Sequence, residues 1–576
     1  MKNKYIIGGL VATMMAPALV SCSDSYLDQA PLTDTSIETV NHDENAAVAT
    51  VMGLFRQMQT QYDDLKNGNL NVSGETYLAT IYGEGLGPDA NPSETTYYMA
   101  SGITPNNFRR SSGGWWTIWM YRYCYSIIGS ANTILDGMAD DPDDSVELWL
   151  KACALTMRAH CYTRLMQVHA PRWIDSDNGE KYCLVLRLRA GEANEHPLNT
   201  CNEVYDQLYA DLKEAIRCFE KTSKKRSSEE LFMVNEDVAR GLLARLALLK
   251  NDYKTAQEMA HAARQNYPIM QGEDYLNGFS TVTSETMWSP VMDYLGVYYW
   301  NFGAHYACNG HYSSVKWGYT YTMDYQLYKH LKASDVRSKL YFGPLTVQHA
   351  PDLAEKYGVT AEDFFSADLY SQQRALVSIT GSGTSPKGKN LAMWQFIQDY
   401  GNSATLQANR PEDNKGIYVL NKYGLALGTQ FKFQGLPDGY SSCWVPYMRS
   451  AEMLLIEAEA ACNNNDEATA QACLKELMAK RDPSYSFSGT GQALLDEVKL
   501  QRRIELWGEG FNWFDYKRWN EVIEYRTFDG DFDQMGSYPK TVSAKYEPTF
   551  MNGWRAAIPE KEFIYNKLAD PSLVGQ

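Results

Sequence analysis

The sequence predicts a mostly α-helical protein. Its scaffold of paired amphipathic helices covers about residues 37–273 and 443–576, and a large irregular excursion at about 274–442 interrupts it. Three observations predict this. Apolar residues recur at helical spacing towards both ends of the chain. Two of the helix pairs carry alanines where paired helices would cross. Between them, from Asp274 to Ser442, Gly, Ser and Asn punctuate the chain and only short strand-like runs appear (GIYVLNKYG, TQFKFQG). That stretch is too long for a simple loop and should carry structure of its own.

Element by element, Asn41–Gln61 has helix-compatible apolar spacing, and residues 62–114 turn loop-like, with repeated Gly, Pro and Asn. Trp115–Met138, Val146–His169 and Cys201–Phe219 follow as amphipathic helices. Thr200 is placed to cap the third, with Glu203 completing a capping box. Val238, Leu242, Leu246 and Leu249 form the stripe of a helix that buries one face. Ala244, Ala256, Ala263 and Pro268 have the offsets of a tetratricopeptide repeat, which needs small residues so that helix axes approach closely. Ala260 departs from it, standing where the repeat has an aromatic ring. A second, weaker unit runs from Tyr447 to Arg481, with Ala458 and Ala470 at the matching offset.

The N-terminus speaks to compartment. Lys2 and Lys4 precede an apolar run from Ile6 to Val20, the pattern of a secretory signal over residues 1–21. Leu19-Val20-Ser21-Cys22 resembles the lipobox of bacterial lipoproteins, which makes Cys22 the expected lipid-attachment residue and the first of the mature chain (22–576). Several acyl chains anchor where one does not, at ~0.8 kcal/mol per buried CH₂. The whole chain carries a net charge of −17, and loss of the two leader lysines makes it more acidic still. An acidic surface repels phosphate backbones, which argues against nucleic acid as a partner. The ten remaining cysteines form no C-x-x-C and no metal-like spacing. No catalytic cofactor is implied, and a structural Ca²⁺ is left open without a recognisable loop to hold it.

Aromatic residues mark the candidate binding surface. From Tyr294 to Tyr325 there are 11 rings in 32 residues, about a third, against 13% for the chain. Trp317, Tyr319 and Tyr321 alternate, so an extended strand would put all three on one face. Sugar rings pack their C–H faces on flat aromatics, and their hydroxyls need amide or charged partners, for which Asn301, Asn309 and Lys316 are at hand. Trp300, Trp317, Tyr319 and Tyr298 are the expected ligand contacts. Trp288 and Tyr294, which flank an apolar run, are assigned to the core.

Five segments in order resemble the SusD/RagB family of outer-membrane nutrient-binding lipoproteins. They are SYLDQAPLTDTS, WMYRYCYSIIGSANTILDGM, the repeat-like block from Val234 to Gln265, YMRSAEMLLIEAEAACN, and RRIELWGEGFNWFDYKRW with RAAIPEKEFIYN after it. The resemblance implies a SusD-like α/α superhelix and a cell-surface protein on the extracellular face of the outer membrane. Its expected role is to capture a glycan and pass it to a SusC-like TonB-dependent transporter, without chemistry of its own. It points to the aromatic cluster as one part of the glycan-binding face, with the segment holding Glu84, Asp89, Tyr97 and Tyr98 as the other. The departures lie at Trp507 and in residues 274–442.

In the most specific segment Arg503, Glu505, Glu509, Asp515 and Arg518 crowd around Gly508 and Gly510, with Trp507, Trp513 and Trp519 interleaved. The expected reading is a helix–turn–helix whose charges pair across the turn while the indoles fill the core. The rival is a catalytic carboxylate pair, as in a surface glycoside hydrolase. No nucleophile elbow, zinc-protease motif or phosphate loop is present. A non-glycan nutrient such as a peptide is the other alternative ligand. A two-lobed solute-binding lipoprotein would alternate strands and helices, whereas both ends here read as helix pairs. A pure interaction scaffold also stays open.

Overall fold

The computed structural model describes residues 43–59, 61–62, 72–92, 112, 115–192, 195–276, 279, 281–290, 302–308, 321–365, 388–401, 427–436, 443–444, 446–526, 544–547 and 555–575. The leader, Cys22 and the strand-like run GIYVLNKYG lie outside them.

Helix α1 spans Glu44–Gln57, started by Asp43, whose carboxylate accepts from the Ala46 amide at 2.7 Å. Helices α2 (Trp115–Asp136), α3 (Ser145–His169) and α4 (Cys201–Lys221) follow, then α5 (Glu236–Leu249) and α6 (Tyr253–Ala263). Beyond the excursion, which holds α7 (Lys389–Gly401), come α8 (Ser450–Asn463), α9 (Glu467–Met478), α10 (Gln492–Glu505) and α11 (Asn512–Trp519), with α12 (Glu560–Tyr565) near the end. Each scaffold helix from α2 to α6 packs on the next, α6 packs on α8, and α8 on α9 and α10. The stack therefore continues across the excursion, and short connections such as Lys250–Asp252 make neighbours antiparallel.

Local chemistry explains the starts. Thr200 and Glu203 form the expected capping box at α4. Asp144 starts α3 and Asn235 starts α5, whose Val238 amide lies 3.0 Å from the Asn235 side chain. Ala244, Ala256, Ala260 and Ala263 are all fully buried in the packing of α5 and α6. The ten cysteines after Cys22 are free, all but Cys462 buried as small apolar groups.

Helix α3 is buried around its whole circumference, so its polar residues need internal partners. Arg158 forks onto Asp211 of α4 at 2.7 and 2.8 Å. His160 and Arg164 both hold Glu75, which also accepts from Tyr123. Burial alone would raise the Glu75 pKa, but Arg164 and His160 bring it well below the carboxylate range. Trp288 is core, as expected, with its indole donating to the Phe232 carbonyl at 3.0 Å; Tyr294 lies outside the described residues.

Short two-stranded ladders tie the excursion to the stack. Strand β1 (Ala90–Pro92) pairs antiparallel with β4 (Tyr321–Met323), with Pro92 opposite Tyr321. Within the scaffold, β2 (Tyr182–Leu184) pairs with Asn199–Thr200 at the start of α4. Strand β3 (Thr286–Trp288) pairs with β5 (Met448–Arg449) and draws the two ends of the excursion together. The excursion has a core of its own, including Tyr306, Phe342, Phe396 and Phe433, into which Ile504 and Trp507 of the C-terminal scaffold project. The run TQFKFQG forms only isolated bridges, Thr429 to Thr322 and Gln430 to Tyr341, rather than a strand. Its ladder stops because the Gln430 side chain turns onto the backbone, accepting from the Phe433 amide at 2.8 Å and donating to the Tyr306 carbonyl at 2.9 Å.

Candidate functional site

The signature segment is built around a glycine turn. Gly508 and Gly510 have φ of +80° and +92°, and a Cβ on Gly510 would fall 2.4 Å from the Cβ of Ala79. The close approach docks the turn Ala79–Glu84 against residues 508–511, where Glu84 accepts from the amides of Gly510 and Phe511 at 2.7 and 3.1 Å. The other Glu84 oxygen has no hydrogen-bond partner among the described residues. Burial pushes this carboxyl up to about 7, against the Gly510 and Phe511 amides, which favour its charged form.

Asp89 is held by the same segment. Its carboxylate takes Arg503 at 2.6 and 2.7 Å and the Asn512 amide group. Its carbonyl accepts both the Trp507 indole, at 2.9 Å, and the Asp324 amide, at 2.8 Å. Glu84 and Asp89 are thus buried struts rather than part of a sugar-facing surface. They fix β1, and through its pairing with β4 they set where two further segments begin and end.

Beneath lies a closed cluster of charges. Glu505 accepts from Arg449 at 2.9 Å, Arg481 at 3.0 Å and Arg337 at 3.3 Å. Glu509 accepts from Lys432 at 2.6 Å and from two nitrogens of Arg449 at 2.7 and 2.8 Å. Glu285 bridges Arg449 and Arg481 at 2.7 and 2.9 Å, and Asp335 pairs with Arg337 at 2.7 Å. Four carboxylates meet four cations, so the cluster is neutral, and all are buried. Burial raises Glu505 and Glu509, but the guanidiniums around Glu505, and Arg449 with Lys432 around Glu509, prevail and hold both below the carboxylate range. Burial in turn pulls Lys432 down to about 8, opposed by Glu509.

This geometry corrects the expected pairing across the turn. Arg503, Glu505 and Glu509 pair with other elements, and Arg518 reaches Glu459 of α8 as well as Asp515. Among the described residues, Arg502–Asp515, at 2.7 Å, is the ion pair that joins α10 to α11. Trp507 and Trp513 are core, as expected, and Trp519 is half-buried with its indole on Glu459 at 2.8 Å. Two carboxylates held ionised inside a cation cage do not make an acid–base pair, which needs one proton donor.

Of the expected ligand contacts, Tyr97, Tyr98, Tyr298, Trp300, Asn301, Trp317 and Tyr319 lie outside the described residues. The rings that are described divide. Phe302 and Tyr306 are buried against Phe433, with centroids 5.3 and 5.6 Å away. Tyr325 is half-buried beside Tyr328 and Phe365. Sequence reasoning misses Arg337, Lys432 and Arg481, since nothing local marks them; Arg449 stands inside a quoted motif.

Two family models match the chain: the SusD family over residues 254–568, and a family described as starch-binding, associating with the outer membrane, over residues 114–248. No curated protein matches. Among solved structures, a SusD-like carbohydrate-binding protein from Bacteroides vulgatus superposes with TM-score 0.65 at 18% identity, covering 92% of this chain and 97% of the other. A SusD superfamily protein from Bacteroides thetaiotaomicron gives 0.62 at 17%, covering 92% and 99%. A SusD-like carbohydrate-binding protein from Bacteroides fragilis gives 0.57 at 16%, again covering 92% and 99%. These likenesses support the mostly α fold, and with the first family model spanning more than half of the sequence, the chain belongs to the SusD family.

Proposed function

We propose that the protein is a glycan-binding lipoprotein of the outer-membrane surface, anchored through Cys22, which captures oligosaccharides for a SusC-like TonB-dependent transporter. Family membership carries this reading, together with the outer-membrane, starch-binding description of the model matching residues 114–248. The β1–β4 ladder supports the choice of surface. With Pro92 opposite Tyr321, the chain departs for Tyr97 and Tyr98 beside the point where it returns from Trp317 and Tyr319. Trp300, Trp317, Tyr319 and Tyr298 are the proposed stacking rings, with Tyr97, Tyr98 and Asn301 beside them. The proposed role is binding without turnover, a reading supported by the commitment of Glu505 and Glu509 to ion pairs.

The test is native affinity electrophoresis of the mature chain from Ser23 onward, in gels containing plant, fungal and host polysaccharides. Retardation without release of reducing sugar supports the reading, and release of sugar replaces it with a hydrolase. Absence of retardation throughout moves the ligand to a peptide or other nutrient. Co-purification with a barrel transporter in mild detergent tests the delivery step, and recovery of the lipoprotein alone counts against it.

A further inference from the structure

Strand β2 and the start of α4 bring two cysteines together. Tyr182 lies opposite Thr200 and Leu184 opposite Asn199, so Cys183 is the extra residue of a bulge, a device that re-aims a side chain. Cys201 is the first residue of α4, and its amide donates to the Lys181 carbonyl at 2.9 Å. Both cysteines are fully buried, and their thiols hydrogen-bond to one another. They stand 18 positions apart in the chain.

The surroundings treat the two thiols differently. Cys201 sits at a helix N-terminus, whose partial positive charge favours a thiolate. The hydrogen bond from Cys183 lowers its pKa, and Arg555, Lys181 and Lys517 assist against burial. Burial and the bond to Cys201 push Cys183 well above the ordinary thiol value. One thiol is thus prepared to attack and the other to follow. Arg555 adds an independent sign. Its guanidinium donates to the carbonyls of His169 and Tyr182 at 2.7 and 3.5 Å, and among the described residues it makes no ion pair. The groups that favour its charge are the sulfurs of Cys183 and Cys201. Cys124 and Cys161 form a second hydrogen-bonded thiol pair. Both lie inside helices, on α2 and α3, rather than at a helix start, and Glu75 opposes a thiolate at Cys124.

We propose that Cys183 and Cys201 are a disulfide site, closed as the exported chain folds and tying β2 to the start of α4. The oxidant is a disulfide, carried by an exported thiol oxidase or a small molecule. The Cys201 thiolate attacks one donor sulfur and releases the other as a thiolate. Cys183 then gives up its proton, attacks the Cys201 sulfur and releases the second donor thiolate. Two cysteine thiols are oxidised, and the donor disulfide is reduced to two thiols by the two electrons and two protons they lose. The proposal rests on the exported location put forward above, so the experiment has two arms. Chain recovered from whole cells by acid quenching and alkylation should yield peptides joined at Cys183 and Cys201, with neither alkylated. The purified mature chain, equilibrated with oxidised glutathione in sub-denaturing urea, should yield the same joined peptides. Reductant should then lower its urea midpoint by roughly 0.5 M, because the cross-link restrains the unfolded chain. Cys183→Ala should lose that dependence and Cys124→Ala should keep it. Both cysteines alkylated in the glutathione-treated chain overturns the proposal, as does loss of the dependence in Cys124→Ala. A pair that closes with glutathione but is alkylated in the cell-derived chain overturns the native disulfide, and counts against export rather than against the geometry.

Discussion

Glu84 and Glu505 show how the same side chain in one core takes opposite roles. Glu505 is surrounded by guanidiniums, and its lowered pKa means that its contribution to stability is present above the ordinary value of 4.5 and is lost as pH falls below it. Replacing it with Gln leaves Arg337, Arg449 and Arg481 short of an anion, at a cost of about 3–5 kcal/mol, the usual penalty for breaking a buried pair. Urea denaturation of Glu505→Gln at pH 7 should show that loss. Glu84 behaves the other way. Its pKa of about 7 lies above the ordinary 4.5, so the folded state holds a proton that the unfolded chain releases, and stability falls as pH rises from about 4.5 to 7. Over that interval the loss amounts to about 3 kcal/mol. Glu84→Gln keeps an oxygen for the Gly510 and Phe511 amides and removes the titration. The variant should gain on the wild type as pH rises through that window, and a constant difference between the two denaturation curves would refute the assignment.

At the scale of elements, α8 explains why its sequence alternates charge and apolar residues yet is buried from Ser450 to Ala461. Each acid points to a different neighbour: Glu452 to Arg245 of α5, Glu457 to Arg264 beyond α6, and Glu459 to Arg518 of α11. The helix periods, the Thr200 cap and the alanine crossings are legible in the sequence because each depends on residues close in the chain. The span Asn41–Gln61 exceeds α1 at both ends, since apolar spacing does not register where Asp43 caps it. The charge partners of Glu505 are not legible, because they come from positions 337, 449 and 481, which only the fold brings together. The ligand contacts rest on composition alone, since a local excess of rings does not distinguish a buried Tyr306 from an exposed one. Packing at the alanines gives a sharp prediction. Ala260 has no exposure, so Ala260→Phe, the ring the repeat pattern asks for, should overpack the α5–α6 crossing by about 1–3 kcal/mol, measured as a lowered urea midpoint. Gly510→Ala should also destabilise, because a left-handed φ and contact with Ala79 oppose any side chain there.

Across the whole molecule, the neutral charge cluster joins bodies that the chain separates. Glu285 and Lys432 belong to the excursion, Arg449 to β5 before α8, Arg481 to the segment after α9, and Glu505 and Glu509 to the signature turn. Arg449 is its centre, bonded to Glu285, Glu505 and Glu509 together. The excursion core also takes Ile504 and Trp507 from the scaffold, so apolar packing and ion pairing connect the same two bodies. The wild type should therefore unfold in a single calorimetric transition, with excursion and C-terminal helices melting together. Arg449→Met removes the shared cation and leaves three carboxylates facing one another with fewer partners, so the connection weakens where it is made. The helices α2 to α4 pack in a core that also takes Met448, Met453 and Ile456 from β5 and α8, but the ion pairs of Arg449 go to Glu285, Glu505 and Glu509, none of which lies on α2 to α4. Hydrogen exchange on Arg449→Met should consequently show lost protection in residues 321–343 and 446–463, while residues 145–169 and 201–221 retain theirs. Uniform loss across all four segments would mean that the whole fold is one cooperative unit, with the cluster stabilising it globally rather than coupling its parts.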